Sequence, residues 1–218
     1  MGDKGDTLDM TMMLAFHDAL RRDLTHLARL TARADDDPLR VLRNAAGWEL
    51  FKRFLRVHHT AEDDLVWPVM QGRLAGRTDE LGLLDAMEAE HAAIDPLLEA
   101  VDAALADRDG GHQRIGDLVD ELTRVLTSHL THEETDALPL IDRTLTPLEW
   151  QEFGERSRSR VGGDAPRYLP WLLDGRSPER AAPVIALLPP PLLAAYRDEW
   201  KPAYDALDPW RTTGSAEG

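Results

Sequence analysis

His58-His59-Thr60-Ala61-Glu62-Asp63-Asp64-Leu65-Val66-Trp67-Pro68 has a counterpart further along the chain, in His129-Leu130-Thr131-His132-Glu133-Glu134-Thr135-Asp136-Ala137-Leu138-Pro139. Each stretch sets a Glu four residues after a His and a Pro ten residues after it. At roughly 100° per residue, four helical residues return to within about 40° of the starting face, about 6 Å along the axis. His58 and Glu62 therefore share a face, and so do His129 and Glu133. The surrounding apolar residues set that face. Phe51, Phe54, Leu55, Leu65 and Val69 fall on the His58 stripe, and Leu118, Leu122, Val125, Leu126, Ala137 and Leu140 fall on the His129 stripe. Both pairs point toward a core.

Each stretch is preceded by another amphipathic segment carrying one His. His17 lies among Met10, Met13, Leu14, Leu20, Leu24 and Leu27, and His91 among Leu84, Met87, Ile94, Leu98, Val101 and Leu105. The chain reads as two similar helical hairpins, with helices over about 8–34, 39–71, 79–106 and 113–143. Asp35-Asp36-Asp37-Pro38, residues 72–78 and Asp109-Gly110-Gly111 separate them. Connections this short join antiparallel neighbours, so residues 8–143 are expected to form an all-α, up-down-up-down four-helix bundle. Pro68, Pro96 and Pro139 are expected to kink or end their helices, and an Asp is expected to cap the second helix before Pro38.

Residues 144–218 differ in composition. They hold ten of the 14 prolines, four of the six tryptophans and a charge of only −2, against −13 for residues 1–143. Thr146-Pro147-Leu148-Glu149 carries the signature of a capped helix start, with a helix expected to about Arg160. Further short helices are expected around Tyr168–Leu173, Pro183–Leu188 and Leu192–Leu207, with Pro189-Pro190-Pro191 as a breaker. The expectation is a C-terminal extension of short helices packed on the bundle.

The composition excludes several functions. A net charge of −15, from 25 basic and 40 acidic side chains, argues against nucleic acid and against an anionic membrane surface. With no Cys there are no disulfides, thiolate nucleophiles or Cys-held metals. No run of 18 uncharged apolar residues could span a membrane, and the polar, acidic start carries no leader-like pattern. A cytoplasmic location is the expectation. No strand precedes a Gly-rich phosphate loop, and Ser128 points about 100° away from its neighbour His129, so a nucleophilic triad has nothing to build on.

Two Glu on facing helices inside apolar stripes pose an electrostatic problem. A buried, unpaired carboxylate costs several kcal/mol, and two of them repel each other. Among cationic residues, Arg21 alone lies near these faces; imidazoles surround the carboxylates instead. One core His is more often a satisfied structural residue than a ligand, and one His-x-x-x-Glu is more often a surface pair. Four helices each turning a His inward, two of them with Glu at the same offset, favour a metal over a metal-free polar network. Nitrogen and oxygen donors without thiolate suit iron, manganese or zinc.

The set His17, His58-His59-x-x-Glu62, His91 and His129-x-x-x-Glu133 resembles the haemerythrin-like, or HHE cation-binding, family over about residues 8–143. The resemblance implies a bundle holding two non-haem iron ions with an oxo or hydroxo bridge. Glu62 and Glu133 would bridge the irons, and His17, His58, His59, His91 and His129 would be terminal ligands. The oxygen-carrying members have a His-x-x-x-His pair on the third helix, whereas here Asp95 stands four residues after His91. His59, which matches the second His of the HHE signature, ranks first to replace it, ahead of His132 and Asp95. Glu134 stands where the oxygen carriers place their carboxylate, while the internal repeat favours Glu133.

Fewer imidazoles than an oxygen carrier favours a centre that binds or reduces a small oxidant: dioxygen, peroxide or nitric oxide. The alternative is a non-enzymatic iron or oxygen sensor whose C-terminal extension contacts a partner. A third is a bundle with redox-silent zinc. Asp63 and Asp64 are placed to hydrogen-bond ligand imidazoles. His26 and His112 are expected in solvent, and Trp48 and Trp67 are expected to pack.

Overall fold

The computed structural model describes residues 7–32, 38–39, 42 and 45–210. Every regular element among the described residues is helical. α1 (Thr11–Thr31) and α2 (Ala46–Leu65) form the first hairpin, and α2 continues past a break at Val66 as α3 (Trp67–Arg73). The second hairpin is α4 (Thr78–Ala106) and α5 (Gly111–His132). α5 passes through a π-turn, Glu133–Ala137, into α6 (Leu138–Thr144). α1, α2, α4 and α5 close a four-helix bundle in which α1 packs on α2 and α5, and α4 packs on the same two.

The prolines explain where the long helices divide. Proline has no N–H, and its ring crowds the carbonyl four residues back. Pro68 and Pro139 each stand in the first turn of a new helix, where no N–H is needed. Upstream, one hairpin breaks at Val66 and the other widens into the π-turn. The expected single helices over 39–71 and 113–143 are therefore interrupted. Pro96, expected to kink or end its helix, lies inside α4 without breaking it. The expected Asp cap at 35–37 lies outside the described residues.

The C-terminal part is helical as well. Thr146 and Glu149 form the reciprocal cap of α7 (Pro147–Val161), which lies along α2. α8 (Ala165–Leu173) follows a short 3₁₀ turn and inserts Leu169, Trp171 and Leu172 into the bundle's apolar core. α9 (Pro178–Ala186), α10 (Pro190–Ala195), a second π-turn (Tyr196–Trp200) and α11 (Lys201–Leu207) complete the chain. The expected breaker Pro189-Pro190-Pro191 lies where α9 gives way to α10: Pro189 is the N-cap residue of α10, and the other two start it. Both fit because the first turn of a helix leaves its N–H groups unpaired.

Polar contacts fix α8 to α1. Trp171 Nε1 donates to Asp23 Oδ2 at 2.7 Å, and Arg22 donates to the carbonyls of Trp171 and Asp174 at 2.7 and 2.9 Å. Burial pushes the fully buried Asp23 carboxyl up to about 6, although Arg22 and the Trp171 hydrogen bond pull the other way. His26, expected in solvent, is half-buried and stacks on Trp210, with ring centroids 5.5 Å apart and planes 6° from parallel.

The core is two apolar clusters with a polar layer between them. Leu20, Leu55, Ile94 and Leu126 belong to the larger cluster, and Met13, Val66, Met87 and Ala137 to the smaller. On each bundle helix the expected site residues fall between those two positions. Among the described residues, seven of the nine buried polar ones belong to this layer, and the other two are Asp23 and Lys52. No helix among the described residues is long and apolar enough to cross a membrane.

Candidate metal centre

The polar layer contains His17 on α1, His58, His59 and Glu62 on α2, His91 on α4, His129 on α5 and Glu133 at the start of the π-turn. All seven are buried, and both Glu are fully so. Two groups of donor atoms converge: His17, His58 and Glu133 in one, and His59, His91 and His129 in the other. Within the first, His17 Nε2 is 3.2 Å from both His58 Nε2 and Glu133 Oε2. Within the second, His91 Nε2 is 3.2 Å from His129 Nε2, and the His59 ring stacks on His91 with centroids 4.0 Å apart.

The carboxylates connect the groups. Glu62 places Oε1 3.4 Å from His58 Nε2 and Oε2 3.6 Å from His91 Nε2. Glu133 Oε2 reaches His17 at 3.2 Å and His129 Nε2 at 3.8 Å. Each Glu thus faces both groups at once. Among the described residues none of the four carboxylate oxygens has a hydrogen-bond partner, and neither does His59 Nε2. Buried acceptors left this way are expensive.

The donor set fits a pair of cations. Two imidazoles on one ion, at bond lengths of about 2.1 Å and angles between tetrahedral and octahedral, stand about 3.0–3.4 Å apart. The two Nε2–Nε2 separations fall in that interval. A cation at each group would also satisfy the orphaned oxygens and His59 Nε2.

Electrostatics of the metal-free site point the same way. Burial pushes Glu62 well above the usual carboxylate range, and the neighbouring Glu133 pushes it further. Burial acts on Glu133 too, but His17, His58 and His129 hold it below that range. Burial disfavours a charged His17, yet Glu133 and Glu134 raise it to about 9. Burial, and then the nearby imidazoles, drive His58 and His59 well below the usual histidine value. Burial also lowers His129. Neutral rings keep a lone pair for a cation, and a bound cation replaces the proton on His17.

A ring of carboxylates holds the imidazoles from outside. His17 Nδ1 meets Glu134 at 2.9 Å, and Arg21 grips the same carboxylate at 2.6 and 3.0 Å. His91 Nδ1 meets Asp63 at 2.8 Å, and His129 Nδ1 meets Glu90 at 2.9 Å. These partners assign the Nδ1–H tautomer and leave Nε2 to face the layer. Of the alternatives left by the sequence, Glu134 serves His17 from outside and Glu133 faces the layer. His132 shares Glu90 at 2.8 Å, and Asp95 is exposed, 3.8 Å from Arg56. Asp64, expected to support an imidazole, pairs with Arg160 at 2.8 Å instead.

The Hemerythrin HHE cation binding domain family matches residues 9–141, more than half of the chain. The chain belongs to that family. It is also similar to the zinc finger protein BRUTUS-like of Arabidopsis thaliana, 23% identical over an alignment of 194 residues that covers 84% of this chain. The chain spans only 16% of that relative's length. No solved structure matches at a significant level.

The role of Glu90 and that of Arg21 emerge only in the folded chain. Glu90 serves His129 on another helix, a pairing that spacing along one helix does not reveal. The weak signal was local: Glu90 precedes His91, and Arg21 follows His17 by one turn.

Proposed function

We propose that this HHE-domain protein holds two non-haem iron ions and uses them to bind or reduce a small oxidant: dioxygen, peroxide or nitric oxide. One observation carries the reading. Two His-rich donor groups lie side by side in a dry layer, with two orphaned carboxylates each facing both. His17 and His58 would hold one ion, and His59, His91 and His129 the other, with Glu62 and Glu133 spanning them. The group would supply one-electron redox chemistry and a Lewis-acidic site for a diatomic or peroxidic ligand.

The chain's own residues prepare that site. Glu134 with Arg21, Asp63 and Glu90 orient three imidazoles through Nδ1. The apolar clusters on either side bury the layer. The set gives one group three imidazoles and the other two. The two-imidazole group has the smaller share of fixed donors, which supports oxidant access there. Burial of Trp171 and its neighbours on α8 supports a structural role for the extension rather than the sensor alternative.

Anaerobic addition of ferrous iron followed by air tests the reading. The expected result is two irons per chain and near-ultraviolet absorption that develops as oxidant is consumed. Two tightly held, redox-silent zinc ions, or no uptake of iron, would overturn it.

A further inference from the structure

A cavity of about 440 Å³ lies between the bundle and the C-terminal helices. Its inner wall is Phe16, His58 and Ala61 from α1 and α2, and its outer wall is Trp150, Phe153 and Tyr168 from α7 and α8. That volume lies within the range of pockets that enclose small organic ligands and far exceeds the needs of a diatomic oxidant. The walls are chiefly apolar. Several polar groups in them are already engaged: Asp9 Oδ1 accepts from Thr11 N, the Asp9 carbonyl accepts from Trp150 Nε1, Gln151 Nε2 donates to Glu155 and Ser157 Oγ donates to the Phe153 carbonyl.

Two longer polar side chains on the lining, Arg158 and Tyr168, end in groups without a partner among the described residues. The Arg158 guanidinium makes no hydrogen bond or ion pair among the described residues, in a chain whose net charge is −15. On the same helix Arg156 and Arg160 pair with Glu152 and Asp64. The Tyr168 hydroxyl also has no partner among the described residues, although its ring packs against Phe16, Phe54 and Trp171. A guanidinium free at the exposed rim of an apolar chamber matches a ligand with an apolar body and one carboxylate.

We propose that this cavity binds a medium-chain aliphatic carboxylate, its tail against Phe16, Phe153 and Tyr168 and its headgroup on Arg158. The inner end of the ligand then lies beside His58, whose ring packs at a tilt of 31° against Phe16 with centroids 4.2 Å apart. Occupancy would thus be felt at the centre proposed above. That coupling rests on the iron reading, whereas the binding itself does not.

Calorimetric titration of the full chain with decanoate and with decanol, metal-free and after ferrous loading, tests this. Decanoate is expected to bind with a Kd in roughly the 10 μM range, in both metal states. Arg158→Gln is expected to weaken decanoate about tenfold and leave decanol unchanged. Met12→Trp, which fills the chamber, is expected to abolish binding of both; far-ultraviolet dichroism checks that it folds. Absence of decanoate binding to the metal-free wild-type chain, or equal affinity for decanol and decanoate, would overturn the proposal. So would an Arg158→Gln chain that binds decanoate as tightly as wild type. A chain that takes up no iron yet binds decanoate refutes the centre and leaves the cavity assignment intact.

Discussion

Replacing Asp23 with Asn isolates the contribution of one buried carboxylate to the pH dependence of folding. The Asp23 side chain is fully buried, and its carboxyl is raised from 3.8 to about 6 by burial, with partial relief from Arg22 and Trp171. A carboxyl raised in the folded state binds more protons than its unfolded counterpart between those values, so stability rises as pH falls through that window. At about 1.4 kcal/mol per unit, ionised Asp23 lowers stability by about 3 kcal/mol at pH 7.5. At pH 4.5 the same linkage leaves a loss of about 1 kcal/mol. Asparagine keeps the acceptor for Trp171 Nε1 but does not titrate. Urea unfolding of metal-free wild type and Asp23→Asn, followed by tryptophan fluorescence across this pH range, reads the effect. Other titrating groups are common to both chains and cancel in the difference. Relative to the variant, wild type should gain about 2 kcal/mol between pH 7.5 and 4.5. A difference constant to within about 0.5 kcal/mol, or one of opposite slope, would refute the account of this carboxylate.

Three further outcomes follow from other parts of the molecule. Glu134→Gln, which weakens the Arg21 grip and the hydrogen bond to His17, should lower metal affinity about 10- to 100-fold in competition with a chelator while the dichroism spectrum stays unchanged. Gly111→Ala places a Cβ against the Ala104 carbonyl at the close approach of α4 and α5, and should cost about 1–3 kcal/mol in chemical denaturation. Trp171→Ala empties a fully buried site and leaves Asp23 Oδ2 without its donor, and should cost about 3–5 kcal/mol by the same measurement. A loss below about 1 kcal/mol would mean that α8 does not brace the bundle.

The bundle could be read from the sequence because its apolar stripes repeat with the helical period on all four helices. The seven layer residues could be read because burial makes polar groups rare, so a His or Glu inside a stripe stands out. What escaped the sequence depends on contacts between helices. Glu90 on α4 serves His129 on α5, and Arg22 on α1 reaches carbonyls at α8. The response to proline escaped for a different reason. Pro68 and Pro139 occupy the same position in the repeat, yet one hairpin breaks before its proline and the other winds into a π-turn. Local spacing does not choose between those two solutions, which accommodate the same missing donor. His26 was misplaced because its partner, Trp210, lies far away in sequence.

The layer draws on every long helix of the bundle and on no loop. An ion held there has no single flexible arm that could swing away and release it. Departure requires helices to separate, so the rate of exchange becomes a clock for the opening of the bundle. With a strong chelator in excess, the rate of metal loss should reach a plateau that ignores chelator concentration. That plateau should rise steeply with temperature, as unfolding rates do. The buried layer would then set how long the protein keeps its cargo as well as what it can hold.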